Sequence, residues 1–360
     1  MWKCSLIGLK IIGWGMVGML FLTATGCEYF NGYKRGPDRH AAMIVVNGRT
    51  VPNIGRLPTA IPVPPGNLNY EAKILLGKQL FFDDRLSKGD AISCGFCHNP
   101  GTGFAHSSQF SPGVTGEVGD RQAPTVYNTA FNPFQFWDGR VGSLEEQALL
   151  PIINPIEMAE THENVVRKLS KLQGYRDQFQ AVFGTVVNIQ GVGEAIAAYE
   201  RTIISKGSAF DKFVLGDESA LSKDAKRGRI VFTGKARCIH CHNGPNFTDN
   251  QFHNLGVPQV GTAKTDKGRF NVTLRKKDTG AFKTPTLRSI SETSPYMHDG
   301  VFKTLEDVVK FYNKGGGKNK HLDSLIKPLG LTSKEITYLI AFLNALTGEP
   351  IPFEVPDLPK

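Results

Sequence analysis

Cysteine and tryptophan are scarce in this chain, with six Cys and three Trp among 360 residues. So few thiols exclude a disulfide scaffold as the basis of the fold. Lysine and arginine form no continuous run, and the net charge of +9 is spread along the chain. That pattern excludes a basic nucleic-acid tail and leaves a solvated surface that would suit an acidic partner. The apolar run Ile11 to Leu22 is too short for a comfortable membrane span. Alternating strand patterns are also sparse, so the expected fold is mainly α with long loops. What the chain has in quantity is glycine (39) and proline (21), which fits a loop-rich interior filled partly by something other than side chains.

Lys3 and Lys10 precede the apolar run, and Thr23-Ala24-Thr25-Gly26-Cys27 follows it. This is the order of a secretory signal peptide over residues 1–27, and Gly26-Cys27 resembles a bacterial lipoprotein cleavage site with Cys27 lipidated. The mature chain is then exported, with a membrane connection only through that anchor. Cys4 and Cys27 fall in the leader region, which leaves four thiols and, of the three Trp, only Trp137.

Those four thiols all sit in one repeated pattern, Cys94-Gly-Phe-Cys97-His98 and Cys238-Ile-His-Cys241-His242. Two thiols three positions apart can add to the two vinyl groups of one porphyrin, and the adjoining His can bind its iron. Half of a zinc site is the competing reading of one copy. Two copies that consume every remaining thiol, in an exported chain, favour two covalently bound haem c groups.

Along the chain, residues 28–66 are Gly- and Pro-rich and read as a surface arm or tether. Ile74, Leu75, Leu80 and Phe81 predict a helix into the first motif. A long Gly/Ser/Pro-rich stretch from Asn99 to about Pro133 follows, of the kind that wraps a ligand. Helical patterns cover Ser143–Leu150, Glu163–Leu172 and Gly193–Ile204. Gly228-Arg-Ile-Val-Phe232 precedes the second motif as Gly77-Lys-Gln-Leu-Phe81 precedes the first, which indicates an internal repeat. Thr304–Lys314 predicts a helix with Leu305, Val308, Val309 and Tyr312 on one stripe, and Thr332 with Glu335 forms a capping box for the last helix. The domain reading is an N-terminal cytochrome c domain at 67–205, a C-terminal one at 206–348, and a tail at 349–360.

Leu80-Phe-Phe-Asp83, Ala123-Pro-Thr125, Phe136-Trp-Asp-Gly-Arg140, Ile156-Glu-Met158, Pro285-Thr-Leu-Arg288 and Pro295-Tyr-Met-His-Asp-Gly300 occur in the order found in one family. The chain resembles the bacterial dihaem cytochrome c peroxidases and, within them, the MauG-like branch. The resemblance implies two packed cytochrome c domains with one covalent haem in each. The first haem reacts with hydrogen peroxide and the second relays electrons. It implies His98 and His242 as proximal iron ligands, Trp137 between the haems, and Gln147 and Glu157 above the first. It also implies a calcium ion held by the Thr293 and Pro295 carbonyls, with Gln122 here where the family has Asn.

Two further departures bear on activity. Where activation-dependent members carry a His that caps the first iron, this chain has Val114, and His106 in the same loop is the alternative ligand. Fourteen residues after His298, where peroxidases have Met, this chain has Tyr312, the ligand of the MauG-like branch. A phenolate favours ferric and higher oxidation states where a thioether favours ferrous iron. The expected function is peroxide reaction at an open first haem, followed by oxidation of a partner through the second. That partner would be a protein with an oxidisable Trp or Tyr. The rival readings are a peroxidase supplied by a small cytochrome or copper protein, and a dihaem electron carrier without catalysis.

Overall fold

The structure is a computed structural model that describes residues 43–260 and 266–360. The leader at 1–27, Cys27 and the first part of the arm lie outside those residues. A hairpin of β1 (Met43–Val46) and β2 (Arg49–Pro52) comes first. The helices are α1 (Glu71–Phe81), α2 (Cys94–Cys97), α3 (Leu144–Ile153), α4 (His162–Leu169), α5 (Gln173–Phe183), α6 (Ile189–Glu200), α7 (Ala209–Val214), α8 (Lys223–Thr233), α9 (Phe270–Thr273), α10 (Leu305–Asn313) and α11 (Ser333–Asn344). A second small antiparallel pair joins β3 (Phe252–His253) to β4 (Phe282–Lys283). The fold is mainly helical with long loops.

Local chemistry explains the helix starts. Ser143 accepts the backbone N–H of Glu146, Thr304 that of Asp307, and Thr332 exchanges two hydrogen bonds with Glu335. Helix α5 turns Tyr175, Phe179, Val182 and Phe183 to the first core at i, i+4, i+7 and i+8, although the sequence reading assigns no helix there. In α1 the phase differs by one position from the expected set: Leu76 is buried and Leu75 is half-exposed.

Two hydrophobic cores organise the described residues, which form one compact unit. The first gathers buried residues from Leu76 to Ile203, and the second takes Phe210 to Leu346 together with Val51 and Ile54. Helix α1 packs on α6 in the first core, and α8 on α11 in the second. Each crossing is close because of one glycine: a Cβ on Gly77 would meet the Ala195 carbonyl oxygen at 1.8 Å, and one on Gly228 the Tyr338 carbonyl oxygen at 1.9 Å. These glycines hold the same place in the sequence repeat.

Residues 43–57 are not a free arm. Val51 and Ile54 are buried in the second core, and the Gly55 carbonyl accepts a hydrogen bond from Arg288. The tail crosses the other way: Phe353 packs on Phe82 at 4.8 Å between ring centroids, and the Asp357 carbonyl accepts from Gln79 of α1. The first and last of the described segments therefore pack on opposite cores, residues 43–57 on the second and the tail on the first. Apolar side chains at Val51, Ile54 and Phe353 drive this docking.

Candidate haem sites

Helix α2 is a single turn that carries Cys94 and Cys97, and the His98 N–H closes it on the Cys94 carbonyl at 2.9 Å. The second motif makes a 3₁₀ turn at Cys238–His240, closed by the His242 N–H on the Cys238 carbonyl at 2.8 Å. Both imidazoles are oriented alike. His98 donates its Nδ1–H to the Phe104 carbonyl at 3.2 Å and His242 to that of Phe247 at 3.0 Å, which fixes the tautomer and leaves Nε2 as a ligand. Phe104 and Phe247 each adopt φ of 53°, in the left-handed region that non-glycine residues rarely occupy. The same local distortion thus serves both motifs.

Burial pushes both imidazoles down, so they are neutral and suited to iron. It also pushes the thiols up, Cys97 to about 11 and Cys238 to about 12, with Cys94 raised further. A zinc site needs thiolates, whereas thioether bonds to a porphyrin leave sulfur without charge. The half-buried sulfur pairs suit haem c.

Around the first motif, Glu157 is held by Asn154, whose Nδ2 donates to Oε1 at 2.8 Å. Burial raises the Glu157 carboxyl above its usual range, while Arg140 and the Asn154 hydrogen bond pull it partly back. Its charge also helps raise the Cys94 and Cys97 thiols, which places it within electrostatic reach of that motif. The Val114 N–H donates to the Glu157 carbonyl at 2.9 Å. Gly113 permits that approach, since a Cβ there would sit 1.7 Å from the Ile156 carbonyl oxygen. Gln147 lies half-buried on α3. His106 packs against Phe96, inside the first motif, with Nδ1 accepting the Ser108 N–H.

The second motif opens on a cavity of about 440 Å³ lined by Cys238, Cys241, His242, Trp137 and Tyr312. The stripe Leu305, Val308, Val309 and Tyr312 of α10 forms one of its walls. Trp137 is fixed at both ends: its Nε1–H donates to the Gln122 carbonyl at 2.8 Å, and its own carbonyl accepts from the Lys283 N–H at 2.8 Å. Burial raises the Tyr312 hydroxyl strongly, with the Cys241 and Cys238 thiols adding to it. Gln122, Thr293 and Pro295 line the same cavity.

Three features escaped the sequence reading. Asn154 carries no motif signal, and its role follows only from the turn that faces it to Glu157. Lys283 is a buried cation on β4 that lines the cavity. His253 is gripped from both sides, Nδ1 to Asp323 at 2.6 Å and Nε2 to Asp249 at 2.9 Å. Burial opposes its charge, but the two carboxylates and the nearby Cys241 outweigh burial and push it up to about 12. The seventy residues between His253 and Asp323 hid that clamp.

A mainly helical protein with two such motifs, each offering a neutral imidazole beside half-buried thiols, is a two-haem c-type protein. The chain belongs to the di-haem cytochrome c peroxidase family. The family's description matches residues 71–219. A methylamine utilization protein MauG of Methylorubrum extorquens is 41% identical over 84% of this chain and 86% of its own length. A cytochrome c551 peroxidase of Nitrosomonas europaea is 40% identical, covering 79% and 82%. Among solved structures, a MauG-like protein associated with microbial copper homeostasis is 31% identical with a TM-score of 0.76, covering 81% of this chain and 95% of that one. This protein is thus a dihaem peroxidase-family enzyme that uses hydrogen peroxide. Among the described residues no helix is long and apolar enough to cross a membrane.

Proposed function

We propose that the enzyme reacts with peroxide at the first haem in its fully ferric state and withdraws electrons from a partner protein through the second, in the manner of the MauG-like branch. The observations that support this reading are the hydrogen bond of Val114 to Glu157 near the first motif and the place of Tyr312 in the cavity that His242 also lines. The haems, when bound, supply the redox chemistry; the chain supplies proton handling and alignment. In this reading His98 and His242 would hold the two irons, and Tyr312 would be a further ligand at the second site. The Glu157 carboxyl, held by Asn154, takes a proton from one peroxide oxygen and returns it to the other. Gln147 assists by orienting peroxide. Trp137, clamped by Gln122 and Lys283, is the aromatic ring between the two sites through which oxidising equivalents pass.

Charge supports partner docking at the second half. Residues 206–348 hold 23 Lys and Arg against 13 Asp and Glu, whereas residues 67–205 hold 11 against 15. Arg237, Lys267 and Lys327 line the cavity, and exposed Lys318 and Lys320 flank Asn319, which also lines it. An acidic partner with an oxidisable Trp or Tyr would be steered there. Calcium belongs to the proposal too, with the carbonyls of Thr293 and Pro295 and the amide of Gln122 as protein ligands. That set holds no carboxylate, so binding is weak and a chelator should strip it. Export is part of the same proposal.

The relatives at 37–41% identity include proteins named cytochrome c peroxidases as well as MauG proteins. That similarity supports a second reading, a peroxidase fed by a small cytochrome or copper protein. One experiment separates the two. Peroxide added to the ferric holoprotein without reductant should give a long-lived oxidised state, and low-temperature EPR beforehand should show one high-spin and one low-spin haem. A protein inert to peroxide until half-reduced would overturn the MauG-like reading.

A further inference from the structure

Four cationic side chains are buried among the described residues: Lys73, Arg201, Lys283 and Arg288. Three have side-chain acceptors. Lys73 donates to Asn67 at 2.8 Å, Arg201 pairs with Glu145, and Arg288 forms a double ion pair with Asp211 at 2.9 and 3.0 Å. The side-chain ammonium of Lys283 has no hydrogen-bond acceptor or ion-pair partner among the described residues. The carboxylate that acts on it electrostatically is Asp249, and both oxygens of Asp249 are engaged, one by His253 and the other by the Gln251 N–H. A buried ammonium without a counter-charge is costly. Burial accordingly pushes Lys283 down to about 8.

Lys283 lines the cavity that also presents Cys238, Cys241 and His242. Its backbone is held on both edges of β4, by pairing with Phe252 and by its N–H bond to the Trp137 carbonyl. The backbone of Lys283 is therefore fixed where the residue lines the cavity. A haem c anchored by those cysteines has only two anionic groups, its propionate carboxylates. We propose that Lys283 forms an ion pair with a propionate of the haem held by Cys238, Cys241 and His242, and so keeps that propionate ionised.

This rests on the reading that a haem occupies the cavity, and the pyridine haemochrome count tests that separately, with two haems per chain expected. In holoprotein with both haems, the midpoint potential of the low-spin haem should be nearly independent of pH between about 5 and 8, because the paired propionate does not titrate there. Lys283→Met should make that potential fall as pH rises, since the freed propionate now loses its proton in this range and its charge favours ferric iron. Lys283→Arg should restore the flat profile. A flat, parent-like profile in Lys283→Met with both haems retained would overturn the ion pair. If Lys283→Met fails to retain the second haem, the crystal structure of the parent holoprotein decides: a propionate oxygen within hydrogen-bonding distance of Lys283 Nζ is expected, and its absence overturns the proposal.

Discussion

The backbone N–H of Val114 donates to the carbonyl of Glu157 at 2.9 Å, so the residue proposed to leave the first haem open is tied to the proposed acid–base residue. The loop is pinned there by Gly113, whose missing Cβ lets it lie on the Ile156 and Glu157 carbonyls. An imidazole at position 114 would hang from a backbone that has little freedom to swing away.

Val114→His should convert the first haem to a low-spin form and abolish peroxide reactivity. EPR of the ferric variant checks this by the loss of the high-spin signal. A retained high-spin signal would mean that position 114 does not face the iron.

Glu157→Gln should slow the reaction with peroxide by roughly two orders of magnitude, the usual worth of a positioned acid–base group. The sign of the pH effect follows from burial, which raises the carboxyl so that it holds its proton to higher pH than a surface Glu. The base form is lost as pH falls through that raised value, and the rate should fall with it. Stopped-flow rates against pH should show this limb in the parent and lack it in the variant.

Replacing Tyr312 by Phe should change the low-spin EPR signal while the haem count stays at two. Tyr312→Met should raise the potential of that haem and shorten the life of the oxidised state, because a thioether favours ferrous iron. An unaltered spectrum in Tyr312→Phe would make Tyr312 a wall of the cavity and nothing more.

Glu200 makes the fold itself sensitive to pH. Burial pushes this carboxyl up to about 8, with Arg201 pulling it down and Glu145 adding to the rise. The folded pKa lies above the unfolded one, so the contribution to stability is fully present below about 4.5 and is lost as pH rises toward 8. Glu200→Gln should remove this dependence and gain on the order of a few kcal/mol relative to the parent at pH 8. Thermal unfolding of both proteins at pH 5 and pH 8 measures it.

Much of the site was legible because it is written locally. Cys94-x-x-Cys97-His98 and its second copy occupy single turns, and capping at Ser143, Thr304 and Thr332 depends on residues three apart. The period of Leu305, Val308, Val309 and Tyr312 likewise marked one face of α10. Illegible features joined distant segments: His253 with Asp323, the tail with α1, and the first hairpin with the second core. Helix α5 was missed although Tyr175, Phe179, Val182 and Phe183 follow the helical period and pack in the first core.

By itself the sequence determined the cofactor chemistry and the mainly helical class, because thiol spacing and helical period are properties of consecutive residues. Which residues face each haem motif was decided only by the tertiary structure. Val114 meets Glu157 through a loop contact across more than forty positions, and Trp137 is aimed by the Gln122 carbonyl and the N–H of Lys283, which lies nearly one hundred and fifty residues away. Such contacts depend on how the two cores pack, and side-chain type and local period carry no record of that packing.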